Sequence, residues 1–140
     1  MQRFILSISA AALMSVGLCW VSRPVSAARK GIVGTWEMVS GEINGQPEVG
    51  KSVKMISAHH FIFVQYDAKT MKTQAAGSGT YTLNGDSYVE HIEFFDIVGQ
   101  DAPKLVGTDA KFTVKVNGDS LTQEGMAGNF SIKETYKRLD

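Results

Sequence analysis

Apolar and polar residues alternate along most of the chain after the first 27 residues, and spacing typical of a helix is hard to find there. The clearest example is Lys111–Val116, where Phe112, Val114 and Val116 would share one face of a strand. Similar segments occur at residues 33–40, 53–57, 61–66, 77–83, 87–95, 110–116, 120–124 and 130–139. We therefore predict an all-β domain of eight strands.

The connections between the predicted strands alternate between short and long. Asn84-Gly85 and Asn117-Gly118 suit two-residue hairpin turns because both residue types tolerate positive φ, and the connection at 58–60 is also short. The longer connections lie at residues 41–52, 67–76, 96–109 and 125–129. Alternate connections of an up-and-down antiparallel sheet lie at the same end. Because closure also removes exposed edge strands, we predict an up-and-down antiparallel barrel with tight turns at one end and long loops at the other.

The first 27 residues have the pattern of a secretory signal peptide. Arg3 supplies a positive start, Phe4–Val21 is an apolar run, and Val25-Ser26-Ala27 is a small-residue cleavage site. A run of about 18 apolar residues could also just span a bilayer as an uncleaved anchor, although the cleavage site favours removal. We predict a signal helix at residues 1–27, a barrel domain at 28–140, and export to the periplasm or the medium.

Cysteine content and charge limit how the mature chain can be stabilised and what it can bind. Cys19, the single cysteine, lies inside the leader, so no disulfide would stabilise the exported domain, and stability must come from its core. Without Arg3 and Arg23, 12 of the 14 basic residues remain against 14 acidic residues, and no basic stripe indicates nucleic-acid binding. We expect a monomer with no nucleic-acid partner and no membrane association after the leader is cleaved.

Two ends of the chain carry a family resemblance. Gly34-Thr35-Trp36 in the first strand, with Arg138 near the end of the last, resembles the lipocalin and calycin pattern, in which the arginine packs over the tryptophan and closes the barrel base. Residues 54–81, 88–92 and 134–138 also resemble small exported bacterial lipocalin-like domains of unassigned function. The resemblance covers essentially the whole mature chain. It implies an eight-stranded barrel that holds a small apolar or amphipathic molecule, and it identifies no particular ligand.

Closure by itself also predicts that Trp36 and Arg138 are neighbours. In a closed barrel with an even number of strands the last strand pairs antiparallel with the first, which brings Arg138 level with Trp36. A guanidinium over an indole ring contributes about 0.5–2 kcal/mol. We expect these two residues to close the barrel, rather than to bind a ligand.

Two carboxylates are expected inside the barrel. The lysines of the last strand prefer water, which directs Glu134 and Tyr136 inward. On the fifth strand, the face with Tyr88, Glu90 and Phe94 holds a single ionisable group and is expected to face the core. A lone buried carboxylate costs several kcal/mol or becomes protonated. Either a polar network satisfies these groups or they anchor the polar end of a ligand; candidates for the network are Tyr88, Tyr136, Gln65, Gln123 and Lys54.

We predict that the barrel binds a small hydrophobic or amphipathic molecule. The expected ligand-binding residues are Glu90, Glu134, Tyr136, Tyr88, Met38, Met55, Phe63, Phe94 and Phe112. The alternative is a macromolecule-binding module whose barrel is filled and holds nothing.

Enzyme and metal functions have less support in the sequence. No nucleophile elbow, phosphate-binding loop or Cys/His pair occurs, and a carboxylate pair made of Glu90 and Glu134 would lie in an interior too narrow for a sugar chain. His59 and His60 would point in opposite directions, and His91 is expected to face solvent, so the three histidines do not converge on one metal ion. We therefore expect no catalytic residues, no metal and no cofactor.

Overall fold

The computed structural model describes residues 31–101 and 104–140, and these residues form nine β-strands. The strands are β1 (Gly34–Ile43), β2 (Gln46–Pro47), β3 (Lys51–Ile56), β4 (His60–Tyr66), β5 (Thr73–Asn84), β6 (Ser87–Ile97), β7 (Asp109–Asn117), β8 (Ser120–Ala127) and β9 (Phe130–Arg138). The two-residue β2 folds back onto the end of β1, so the other eight strands form the wall. The signal helix predicted at residues 1–27 lies outside the described residues and stays a prediction.

The wall is a closed antiparallel barrel. Each long strand pairs antiparallel with the next, and β9 returns to pair with β1. Trp36 and Arg138 are partners in that last pairing. The predicted all-β, eight-stranded antiparallel barrel is therefore confirmed. Within the described ranges, no helix is long and apolar enough to cross a membrane.

The predicted loop pattern is correct except at one connection. The predicted loop at 125–129 is a tight turn at Gly128-Asn129, because β8 continues to Ala127. A Cβ atom on Gly125 would overlap the backbone of Lys111 on the neighbouring strand β7. Glycine at this position of β8 therefore permits the close contact between the two strands. The remaining long connections, residues 44–50, 67–72 and 98–108, form one end of the barrel, which we call the mouth.

The opposite end, which we call the base, is closed by side chains of β1 and β9. The Arg138 guanidinium lies 4.0 Å from the ring centroid of Trp36, which is fully buried. Arg138 Nη1 donates to the Val33 carbonyl at 2.9 Å, and Nη2 donates to the Gly31 carbonyl at 2.7 Å. Trp36 Nε1 donates to the Ile32 carbonyl at 2.8 Å. The base is thus packed and hydrogen-bonded, and any opening to the interior lies at the mouth.

Candidate functional site

A cavity of about 190 Å³ occupies the part of the barrel nearer the mouth. Most of its wall is apolar and includes Ile43, Phe63, Ile92, Phe112 and Phe130 from different strands and Leu105 from the connection at 98–108. An apolar protein cavity of about 150 Å³ is large enough to bind benzene, whereas pockets for drug-sized ligands start at about 300 Å³. The cavity is therefore matched in size to a single ring or a short alkyl chain.

A bulge interrupts β6 and changes which of its residues face the cavity. Gly79 of β5 pairs with Ile92, whereas the preceding Ser78 pairs with Phe94, so Glu93 is an extra residue in β6. Beyond this bulge the inward face changes, and Phe95 lies inside with its ring centroid 6.3 Å from that of Phe63. The predicted inward face of this strand, which included Phe94 and therefore put its neighbour Phe95 outside, is wrong beyond the bulge.

Glycine marks the bulge in the sequence. A Cβ atom on Gly79 would overlap the carbonyl oxygen of His91, so the backbones approach too closely for any other residue. The sequence predicts a strand over residues 77–83, and a glycine inside a strand pattern also signals a bulge. That signal would have placed Phe95 correctly.

The cavity brings together most of the predicted ligand-binding residues. Its wall includes Glu90, Glu134, Tyr136, Phe63, Phe112 and Phe94. Phe94 is 51% exposed and lies at the edge of the cavity, although it was predicted to point inward. Ligand binding by this set remains a prediction.

Three predicted residues lie elsewhere. Met38 and Tyr88 are buried in the core, outside the cavity lining. Met55 points outward and is 50% exposed, so its predicted place in the lining is wrong. On β3 the inward face holds Ser52, Lys54 and Ile56, the opposite of what hydrophobicity favours. Met55 and Lys54 are neighbours on one strand, so the prediction that placed both inside the barrel could hold for only one of them.

Lys54 forms the centre of a buried polar network at the cavity floor. Lys54 is 2% exposed, and its ammonium forms an ion pair with Glu90, which is 5% exposed. Lys54 Nζ also donates to Gln123 Oε1 at 2.9 Å, and Gln123 Nε2 donates to Glu134 Oε2 at 3.0 Å. The four side chains come from β3, β6, β8 and β9. The polar network considered for Glu90 and Glu134 is therefore present, and Lys54 and Gln123 provide it.

Aromatic rings surround the Lys54 ammonium. Nζ lies 5.5 Å from the ring centroid of Phe61, 5.4 Å from that of Tyr88 and 5.9 Å from that of Phe112. Each contact is favourable because the ring face carries negative potential, and exclusion of water strengthens it. The rings and Glu90 together offset the cost of burying the charge.

Glu48, which lies in the connection after β2, is an additional carboxylate at the mouth side of the cavity. Its Oε1 accepts a hydrogen bond from Gln65 Nε2 at 2.8 Å, whereas Oε2 is buried and has no hydrogen-bond partner among the described residues. The Glu48 amide also donates to the Gly41 carbonyl at 2.8 Å. Sequence patterns gave no signal for Glu48, because it lies in a loop without periodicity and points inward only through these contacts.

Two of the cavity carboxyls have a raised pKa. Burial, with a smaller effect of the Glu134 charge, raises the pKa of Glu48 to about 7. Burial also raises the pKa of Glu134, although the charge of Lys54 and a hydrogen bond from the Tyr136 hydroxyl partly oppose this. Both groups therefore hold protons at higher pH than exposed glutamates do.

The outer wall carries a separate polar pair. His91 Nδ1 lies 2.9 Å from Asp109 Oδ1, and both side chains are half exposed. Across residues 31–101 and 104–140, no group of three or more His, Cys, Asp or Glu side chains is arranged to hold a metal ion. This pair is not part of the cavity.

Comparisons with known proteins identify the fold and no family. No family model matches the chain, and no curated protein matches it. The chain is similar to the crystal structure of an uncharacterized protein from Bacteroides eggerthii DSM 20697, with a TM-score of 0.53 and 12% sequence identity. The alignment covers 76% of this chain and 98% of that protein. At this identity the similarity concerns the barrel alone.

Proposed function

We propose that this protein is an exported, monomeric, lipocalin-like barrel that binds a small hydrophobic or amphipathic molecule. The observation that carries the proposal is the cavity of about 190 Å³ at the mouth end, with an apolar wall and a few polar groups. Small-molecule sites typically combine these features. The resemblance of Gly34-Thr35-Trp36 and Arg138 to the lipocalin pattern supports the same proposal.

The cavity also weighs against the alternative of a filled barrel that acts only through its outer surface. A water molecule occupies about 30 Å³ in the liquid, so a cavity of 190 Å³ exceeds the space of a few waters. A barrel selected only for its outer surface would gain stability by filling that space, because cavities in a core are destabilising.

A catalytic role has no place in this proposal. Glu90 is neutralised by Lys54, and the Gln123 side chain lies between Lys54 and Glu134. An acid and base pair would instead need two carboxyls that face each other across space open to a substrate. The polar groups serve better as a fixed floor beneath a bound molecule.

Neighbouring alanines on β5 allow a matched test of binding. Ala75 lines the cavity and Ala76 points to the other face of the strand. Titration of the protein with toluene or hexan-1-ol, followed by amide chemical shifts, should give saturable changes around the cavity. Ala75→Leu fills part of the cavity and should weaken binding, whereas Ala76→Leu should leave it unchanged.

Two results would contradict the proposal. One is the absence of saturable shifts with both probes, together with a native mass spectrum that shows no copurifying molecule in protein from its source. The other is equal binding by the Ala75→Leu and Ala76→Leu variants, which would locate the bound probe outside the barrel.

A further inference from the structure

We propose that the cavity selects small amphipathic molecules whose polar end is a protonated amine, held between Glu48 and Glu134. This inference rests on the proposed function and makes it more specific, because it names the chemical class of the ligand. It follows from the charges that line the cavity and from the positions of the two carboxyls.

The cavity lining carries more negative than positive groups. Its carboxyls are Glu48, Glu90 and Glu134, and Lys54 is the one basic residue among the described lining residues. Lys54 is already paired with Glu90 and donates to Gln123. An anionic head group would therefore find no uncommitted cation and would face two further carboxyls, whereas an ammonium would supply the missing positive charge.

The backbone brings the two remaining carboxyls to the same side of the cavity. Gly41 on β1 is the register partner of Glu134 on β9. The Glu48 carboxylate lies over Gly41, where a Cβ atom would overlap Glu48 Oε2. The Glu48 amide bond to the Gly41 carbonyl and the side-chain bond from Gln65 hold the loop in this position. Glycine at position 41 thus makes room for a second carboxyl beside Glu134.

One oxygen of Glu48 is available to a ligand. Oε2 is buried and has no hydrogen-bond partner within the described part of the chain. A buried acceptor without a donor is costly, and an ammonium offers three N–H donors. Charge-assisted hydrogen bonds from one ammonium to Glu48 and Glu134 would satisfy this oxygen and reduce the repulsion between the two carboxyls.

The apolar part of the ligand fits the rest of the cavity. Phe63, Phe95, Ile92, Leu105 and Phe112 line the same cavity as the two carboxyls. The volume of about 190 Å³ sets the length of the chain, since about 150 Å³ holds benzene. A six-carbon alkylamine or a phenylalkylamine is the corresponding size.

Protonation of the carboxyls makes the selection dependent on pH. Charged or titratable groups facing Glu48 are Glu134 and Tyr136 from β9, Lys54 from β3 and Glu90 from β6, while Gln65 from β4 is neutral. The Glu48 pKa of about 7 means that the carboxyl is mostly protonated at pH 5.5 and mostly ionised at pH 8. An alkylamine remains protonated over that range. Amine affinity should therefore rise with pH, and binding near pH 6.5 should release a proton.

Three ligands with the same chain separate charge from hydrophobicity: hexan-1-amine, hexan-1-ol and hexanoate. We expect the amine to bind about tenfold more tightly than the alcohol at pH 8, as is typical for a hydrogen bond to a charged group, and hexanoate to bind most weakly. The amine preference should shrink at pH 5.5, while alcohol binding stays constant. Calorimetry at pH 6.5 in two buffers with different ionisation enthalpies should detect proton release with the amine alone.

Substitution of single glutamates tests which carboxyls cause the preference for the amine. Glu48→Gln and Glu134→Gln preserve side-chain size and should each remove most of the amine preference without weakening hexan-1-ol binding. Glu42→Gln changes an exposed glutamate on β1 and should have no effect. Equal affinity for amine and alcohol, or an amine preference that survives Glu48→Gln, would overturn the inference while the proposed function stands. Failure of all three ligands and of toluene to bind would overturn the proposed function as well.

Discussion

Replacement of Lys54 by methionine tests whether the buried ammonium is needed to hold Glu90 in the barrel. Methionine keeps a long apolar side chain but removes the ion pair, the bond to Gln123 and the contacts with three aromatic rings at 5.4–5.9 Å. Glu90 is only 5% exposed, so its charge would remain buried without its cationic partner. Removal of one partner from a buried pair typically costs about 3–5 kcal/mol.

The predicted loss is large enough to measure by urea or thermal unfolding. For a domain of this size, about 3 kcal/mol corresponds to a fall in melting temperature of roughly 12 °C. The cost should come mainly from the unpaired carboxylate, so the double variant Lys54→Met with Glu90→Gln should be more stable than Lys54→Met alone. Lys111→Met, at an exposed lysine on β7, should change stability by no more than about 0.5 kcal/mol.

Two outcomes would refute this reasoning. A loss below about 1 kcal/mol in Lys54→Met would show that Glu90 is satisfied without the ammonium. A double variant no more stable than Lys54→Met would show that the lost packing or the bond to Gln123, and not the charge of Glu90, causes the effect.

Two other predictions concern the base and the mouth. Arg138→Met removes the contact with Trp36 and two hydrogen bonds to backbone carbonyls. Urea unfolding should show a loss of about 2–3 kcal/mol in the free energy of unfolding. Lys137→Met, at an exposed lysine on the same strand, serves as its control. Little change in Arg138→Met would mean that apolar packing alone closes the base. The raised pKa of Glu48 favours the folded state below pH 4.5, and this contribution is lost as the pH rises through about 7. Relative to Glu48→Gln, the ligand-free wild type should lose about 1–2 kcal/mol between these pH values after allowance for solvent screening, and parallel pH profiles would contradict the shift.

Most of the barrel could be predicted from local patterns. Alternation identified the strands to within a few residues at most boundaries, and the Asn-Gly turns gave the up-and-down order. The exceptions came from glycines within strands. Gly125 was interpreted as part of a loop and lies in β8, because its missing side chain permits close strand contact. Glycine occurs both in turns and at close strand contacts, so the local sequence pattern alone does not distinguish the two.

The inward face of each strand was harder to predict, because the two-residue period continues only while the pairing is regular. One extra residue at Glu93 moves Phe95 into the barrel and leaves Phe94 half exposed. A second irregularity between Met38 and Ser40 precedes Gly41, which faces the cavity carboxyls. Bulges depend on the fit between two strands, and a single strand shows only part of the signal.

What the sequence by itself determined is the sheet: alternation sets the strands, turn residues set their order, and the even number of strands makes the chain ends neighbours. What only the tertiary structure decided is the polar interior. Lys54 lies inside against its own preference for water because Glu90 and Gln123 arrive from distant strands, the latter 69 residues away. A buried charge is stable only when its partners are in place, and those partners meet only after the barrel closes.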